Sequence, residues 1–273
     1  MSQNYLKKED YEEPQCLLDM HPEVTPIPIR RFMEKLDEHL GRNDYPAAER
    51  HLHFWLAEAE LGHDMQGKLT VLNEQIGLYR KIKKEPECME AIEAALALAD
   101  TPDMQNTVTL GTTLVNAATA YNAFGKADRA VPLYRKAQAI YEAVLAPDDG
   151  RLGGLYNNMA LAMAELGDYR EAEELFKKAL DIMAKQVHGE AEMAITYLNL
   201  ADLIMADVGA EAGEQRIGTC LDKARELLET EDLPRNGYYA FVCEKCAPAF
   251  GYHGDFVTER ILAQRAKEIY ERS

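Results

Sequence analysis

Residues 153–186, GGLYNNMALAMAELGDYREAEELFKKALDIMAKQ, decide the fold because they contain two amphipathic segments around a short break. Apolar residues in both segments recur at the three- and four-residue spacing of a helix that buries one face. At the break, Gly167 suits the left-handed conformation that ends a helix, while Asp168 and Glu171 suit the start of the next helix. The stretch therefore predicts a helix-turn-helix hairpin.

The same pattern recurs 42 residues earlier, and self-similarity at a fixed period is the sequence signature of a repeat array. Six positions of the hairpin are matched there in residue or in kind, namely by Asn116, Ala118, Gly125, Ala130, Tyr134 and Ala137. A further step of 42 residues gives a weaker copy, in which the small Cys88 replaces alanine. The chain is therefore expected to be built from stacked hairpins.

The two clear copies resemble the tetratricopeptide repeat. Counted from Gly153, small residues stand at the eighth, twentieth and twenty-seventh places and an aromatic residue at the twenty-fourth, and these are Ala160, Ala172, Ala179 and Phe176. The usual repeat has about 34 residues, so the 42-residue spacing is similar to that of the kinesin-light-chain-like subclass. The resemblance implies an all-α, right-handed solenoid of about six helix-turn-helix repeats.

Six hairpins are predicted, near residues 29–63, 69–105, 111–147, 153–190, 194–233 and 237–273. Residues 1–28 lack periodicity and are rich in proline, which predicts an extended or disordered segment; an alternative is that they pack back into the groove of the array. Four residues inserted near 209–213 predict a longer turn in the fifth hairpin. Polar residues of the last helix suit the solvent-facing end of an array.

Charge and composition narrow the class of protein. The formal net charge of -17 argues against nucleic acid as a partner, since its phosphates require a basic face. The acidic balance would favour a basic peptide, although dispersed charge is more often a solvated surface. We expect a cytoplasmic protein without membrane association, because no stretch resembles a secretion signal or a membrane span. Five scattered cysteines fit a reducing compartment.

Candidate binding residues follow from the resemblance, which implies that the first helix of each hairpin lines a concave groove. Asn116, Asn158 and Asn199 stand at the same place on three successive first helices, where the family's asparagine reaches the backbone of a bound peptide. The alternative is that these asparagines bond neighbouring helices within the stack. The other predicted lining residues are Asn73, Glu74, Arg80, Thr119, Asn122, Asn157, Asp202, Glu244 and Lys245.

Together these features predict a non-catalytic interaction module or scaffold that binds a partner peptide or helix in the concave groove. The alternative is a regulatory sensor for a small peptide or metabolite, over which the aromatic residues of the last hairpin would close. These residues are Tyr238, Tyr239, Phe241, Phe250, Tyr252 and Phe256. We expect no cofactor, catalytic residue or metal site, because Cys243 and Cys246 with nearby His253 make only three ligands and suit helix packing.

Overall fold

The computed structural model describes residues 23–101 and 104–272, which form helices and no strand. The helices are α1 (Ile29–Gly41), α2 (Tyr45–Leu61), α3 (Met65–Lys81), α4 (Glu85–Ala99), α5 (Val108–Ala123), α6 (Ala127–Val144), α7 (Gly150–Glu165), α8 (Tyr169–Met183), α9 (Glu190–Leu228), α10 (Gly237–Tyr252) and α11 (Phe256–Tyr270). This architecture confirms the predicted all-α repeat fold. Residues 1–22 lie outside the described part, and with them most of the segment predicted to be extended or disordered or, as the alternative, to pack back into the groove.

The chain divides into two compact units, residues 1–75 and 76–273, whose border lies inside α3. In the described part of the first unit, extended residues 23–28 pack on the first hairpin. The buried Ile27 donates its backbone N–H to Asp64 Oδ2 over 2.9 Å, and Asp64 Oδ1 accepts the N–H of Gly67 at 2.9 Å. One carboxylate therefore ties the incoming chain to the start of α3, since each oxygen satisfies a different backbone donor.

The second unit is a row of hairpins in which each hairpin packs on the next. Helices α5 and α6, α7 and α8, and α10 and α11 form hairpins, and α6 packs on α7, α8 on α9 and α9 on α10. The small residues at the crossings are fully buried, namely Ala118, Ala130, Ala137, Ala160, Ala172 and Ala179. Their methyl groups let the helix backbones approach closely, as the repeat pattern predicted.

The turn between α7 and α8 has the predicted geometry in part. Gly167 takes a φ of 82°, in the left-handed region, and Asp168 Oδ1 accepts the N–H of Glu171 at 3.1 Å. The carboxylate of Glu171, however, accepts a hydrogen bond from Arg135. Asp168 therefore caps α8, while the Glu171 side chain links it to α6.

The predicted longer turn near residues 209–213 is wrong. Helix α9 is broken at Gly209 alone, whose φ of 80° and ψ of 172° lie outside the helical region. A methyl group on Gly213 would approach Ile204 Cγ2 to 2.9 Å, so the arms 190–208 and 210–228 fold back on each other. The inserted residues lengthen the two arms because a glycine reverses the chain where other residues would need a loop.

Among the described residues, α9 counted as one helix is long and apolar enough to cross a membrane by length and composition, which the sequence analysis did not expect, but the break at Gly209 divides it into two shorter arms. Of the most apolar 18-residue stretch of α9, 44% is buried within the protein. Both neighbours in the row, α8 and α10, pack against it. A central helix of a helical stack needs this apolar surface for packing.

Candidate functional site

A groove of about 570 Å³ lies between the first arm of α9 and α10, and we call it the α9–α10 groove. It is lined by Ile195, Leu198, Asn199, Asp202, Met205, Ala206, Lys245, Cys246, Pro248, Ala249 and Tyr252. Both walls are first helices of their hairpins. Such a cleft, with an apolar floor and a few polar groups, is typical of a binding site.

Three of the predicted binding residues converge on this groove. Asn199 and Asp202 come from α9, and Lys245 comes from α10. Asn199 is half-buried, whereas Asp202 and Lys245 are exposed to solvent. The groove therefore offers an amide, a carboxylate and an ammonium group to a ligand that covers its floor.

Asp202 is held by a buried histidine. Its Oδ1 lies 2.8 Å from Nε2 of His253, whose side chain is 1% exposed, whereas that of Asp202 is 51% exposed. An ionised carboxylate only accepts, so Nε2 donates, and Nδ1 is buried without a hydrogen-bond partner among the described residues. Desolvation raises the pKa of the Asp202 carboxyl, and the hydrogen bond from His253 opposes that rise.

A second carboxylate lies on the same arm of α9. Burial raises the pKa of Glu192, and the positive charge of Lys245 partly opposes this shift. The Tyr238 hydroxyl of α10 donates a hydrogen bond to Glu192. This contact joins α9 to α10 near the start of α10. Tyr238 is exposed, and the sequence analysis predicted it to be one of the aromatic residues that close over a small ligand.

One of the three asparagines at the repeated position, Asn199, makes a hydrogen bond inside the stack, to the predicted lining residue Asn157. Asn157 is 9% exposed, and its Oδ1 accepts hydrogen bonds from Thr196 Oγ1 at 3.2 Å and from Asn199 Nδ2 at 3.0 Å. These bonds join α7 to α9, and of the three repeated asparagines they hold Asn199 in this way. Asn158, the next residue, is half-buried, and its Oδ1 lies 3.5 Å from Nδ2 of Asn157.

The remaining predicted residues do not line the α9–α10 groove. Asn73 belongs to the first unit, and its amide donates to Leu69 O in the same helix at 3.0 Å. Arg80 is exposed in the last turn of α3. The three predicted residues of α5 are half-buried, namely Asn116, Thr119 and Asn122. Thr119 Oγ1 accepts from the Tyr134 hydroxyl at 3.0 Å, which engages it within its own hairpin.

The apolar floor was missed by the sequence analysis. Ile195, Leu198 and Met205 follow the three- and four-residue spacing that also marks a buried helix face, so they read as core. Of the aromatic residues predicted to form a lid, Tyr252 lines the groove. Phe250 is instead buried inside the last hairpin. These apolar residues lie on the first helix of a hairpin, and that location was the sequence signal that could have identified the floor of the groove.

The cysteines of the last hairpin lie in its interior. Cys243 and Cys246 are buried free thiols, and burial raises the pKa of Cys246 to about 12. A thiol is nucleophilic and binds metal as the thiolate, so this environment makes both cysteines poor reactive groups. Within residues 23–101 and 104–272, no cluster of three or more histidine, cysteine or acidic residues could hold a metal ion.

Stacked hairpins with a groove along their first helices define a helical-repeat protein. Residues 109–185 and 151–206 match the family described as tetratricopeptide repeat. Tetratricopeptide repeats are therefore present within residues 109–206, and the predicted resemblance is confirmed. The fold of this family generally serves as a scaffold for protein–protein interactions.

Solved structures share the fold at low identity. One, described as a kinesin light chain with nearly identical TPR-like repeats from Podosopora anserina, is 18% identical, with a TM-score of 0.53 over 75% of this chain and 96% of that chain. A substituted form of the same protein is 20% identical, with a TM-score of 0.55 over 76% and 97% of the two chains. A search of curated proteins returned no match.

Proposed function

We propose that this protein is a non-catalytic interaction module that binds a peptide segment or helix of a partner protein in the α9–α10 groove. The observation that carries the proposal is the convergence of Asn199, Asp202 and Lys245 over an apolar floor in a cleft of about 570 Å³. The thiol-rich interior agrees with a reducing compartment, and we propose the cytoplasm as its location.

The groove suits a peptide better than a charged polymer or a compact metabolite. Its floor offers apolar contact along several turns of two helices, which would bury alternate side chains of an extended segment or one face of a helix. The amide of Asn199 uses one N–H on Asn157, and its oxygen and second N–H could serve the backbone of a peptide.

The charges at the groove favour a segment that carries both signs. A basic side chain of the partner would meet Asp202, and an acidic one would meet Lys245. Because such rim charges contribute mainly to selectivity and association rate, the apolar floor would supply most of the affinity. One of six aromatic residues assigned to the lid of a small-molecule sensor lines the groove, so the peptide-binding role is the one proposed.

The test is affinity capture from a lysate of the source organism with wild type and a charge-exchanged double variant, Asp202→Lys with Lys245→Glu. The matched control, Asp181→Lys with Lys185→Glu, makes the same exchange at exposed positions of α8 and the turn that follows it. Neither pair of substitutions changes the net charge. We expect a protein captured by wild type and the control to be lost with the groove variant.

Capture must be followed by mapping on purified components. A peptide from the captured protein should bind wild type and the control with equal Kd and bind the groove variant at least about ten-fold more weakly. Equal binding by all three proteins, each with the same helical content, would remove the α9–α10 groove as the binding site.

A further inference from the structure

The outer face of the last hairpin carries a second groove, of about 520 Å³, between α10 and α11. We call it the end groove, and it is lined by Glu244, Ala247, Pro248, Glu259, Ala263, Ala266, Lys267, Tyr270 and Glu271. None of the three predicted residues that meet at the α9–α10 groove lines it. Its apolar floor departs from the polar end face that the sequence analysis expected of a terminal repeat.

The last hairpin can be aligned with the hairpin of α7 and α8 through their turns. Gly254 has a φ of 87° and matches Gly167, and Asp255 caps α11 as Asp168 caps α8. Each residue of the last hairpin therefore corresponds to the residue 87 positions earlier. Ala247 corresponds by this alignment to Ala160, a small residue at a helix crossing.

This alignment explains why the end groove exists. Phe176 is 0% exposed in the interior hairpin, and its counterpart in α11 is the small, exposed Ala263. Met183 is 6% exposed, and its counterpart is Tyr270, which is 46% exposed. The loss of the phenylalanine ring leaves space between α10 and α11. Inside the row, α9 packs on α8, which carries Met183. Among the described residues, no further helix packs in this way on α11, which carries Tyr270.

The position of Glu244 indicates what kind of element the groove accepts. Its counterpart, Asn157, accepts hydrogen bonds from Thr196 and Asn199 of the next first helix. Glu244 lies at the end groove, where its carboxylate accepts from the Tyr270 hydroxyl at 3.2 Å. The face thus retains the acceptor that an interior repeat uses to hold a neighbouring helix, now as a carboxylate.

The charges select a basic occupant. Glu244, Glu259 and Glu271 line the end groove against the single cation Lys267. A second copy of the chain would bring the same acidic rim and a net charge of -17, and residues 1–22 contain five acidic residues and two basic ones. Both would be repelled, whereas lysine or arginine side chains would be attracted.

We propose that the end groove docks an amphipathic helix of a partner protein, with small or medium apolar side chains on one face and lysine or arginine along its flanks. This helix lies along α10 as the first arm of α9 lies along α7. Alanines on the floor allow its backbone to approach, and the acidic rim holds its basic flanks. The interaction is independent of the α9–α10 groove.

The test uses two synthetic helical peptides of about 18 residues, long enough for several turns. Both carry the same leucine and alanine stripe, and the flanking residues are lysine in one and glutamate in the other. In fluorescence anisotropy titrations with wild type, we expect the lysine peptide to bind at least about ten-fold more tightly than the glutamate peptide. Equal affinities for the two peptides would overturn the proposal.

Ala263→Phe is the decisive variant, because it restores the residue that fills this space in the interior hairpin. It should weaken binding of the lysine peptide by at least about ten-fold while thermal stability stays the same or rises. The double variant Asp202→Lys with Lys245→Glu should bind the peptide as wild type does. If the lysine peptide binds Ala263→Phe as tightly as wild type, its affinity reflects general attraction to an acidic protein, and the end groove is refuted as the site. If the Asp202→Lys with Lys245→Glu variant loses the lysine peptide, the peptide binds in the α9–α10 groove instead.

Exchange of the rim charges gives an independent check. The double variant Glu259→Lys with Glu271→Lys should reverse the preference, so that the glutamate peptide binds more tightly than the lysine peptide. A preference that stays with the lysine peptide would contradict the assignment of the rim. Dimerisation of wild type in sedimentation velocity that Ala263→Phe abolishes would replace the partner helix by a second copy of the chain.

Discussion

Substitution of Asn157 by alanine should destabilise the protein, whereas the same substitution at the adjacent Asn158 should not. The side chain of Asn157 is 9% exposed and joins α7 to α9, while Asn158 is half-buried. The comparison separates a structural role of Asn157 from the predicted binding role of Asn158, since the two residues share chemistry and helix but differ in partners.

The expected size follows from the hydrogen bonds that are lost. Asn157 Oδ1 accepts from Asn199 Nδ2 at 3.0 Å and from Thr196 Oγ1 at 3.2 Å. Thr196 also donates to Glu192 O at 2.8 Å, so it keeps a partner, and Asn199 is exposed enough to recover water. With about 1 kcal/mol for each bond, Asn157→Ala should lower the free energy of unfolding by about 2 kcal/mol.

The assay is urea unfolding followed by far-UV circular dichroism, which reports the helices of the whole chain. Asn158→Ala, whose nearest assigned partner lies at 3.5 Å, should change the free energy of unfolding by less than about 0.5 kcal/mol. Fluorescence of Trp55, in the first unit, supplies an internal reference. A cost below about 0.5 kcal/mol for Asn157→Ala, or equal costs for the two variants, would refute this reasoning.

Gly209→Ala should lower the free energy of unfolding by about 2 kcal/mol, because the φ of 80° and ψ of 172° suit glycine alone; an unchanged Tm would contradict this. Lys83→Gly should raise it by about 1 kcal/mol, since Lys83 has a φ of 58°; a lower Tm would argue that its side chain is needed. Burial raises the pKa of Cys88 and Cys220 to about 11 and that of Cys246 to about 12, above the ordinary value of 9.0. The thiols should therefore resist a disulfide reagent at neutral pH until urea unfolds the protein, and rapid labelling of the folded chain would disagree. The pKa of these thiols is higher in the folded state than in the unfolded state, so their contribution to the free energy of unfolding is complete below about pH 9. It is lost as the pH rises through 11 to 12, and Tm should fall in that range.

The hairpins could be predicted from sequence because their causes are local. Gly167 and Asp168 end one helix and begin the next through their own backbone preferences and hydrogen bonds, and the small residues recur with the repeat. The region near Gly209 was predicted wrongly because a count of inserted residues does not show whether they form a loop or lengthen two helices. That choice depends on how the arms pack.

The candidate sites were predictable only in part. Asn199, Asp202 and Lys245 were identified because polar residues at repeated positions stand out, but the floor beneath them has the same spacing as a buried face. Asn157 was assigned to the groove, and in the structure its side chain accepts hydrogen bonds from one neighbouring helix, α9. No pattern in a single hairpin distinguishes these uses of one amide.

By itself the sequence determined that this chain is built from helical hairpins, and it placed turns such as those at Gly125 and Gly167, because capping, left-handed glycines and amphipathic spacing act within a few residues. Only the tertiary structure decided which helix faces are covered. Phe176 fills its interior space, whereas Ala263 leaves a groove open, and this difference depends on a neighbour distant in the sequence. The physical reason is that burial is a property of the packed pair, so a residue's role as core or as binding surface is set by whether another helix lies over it.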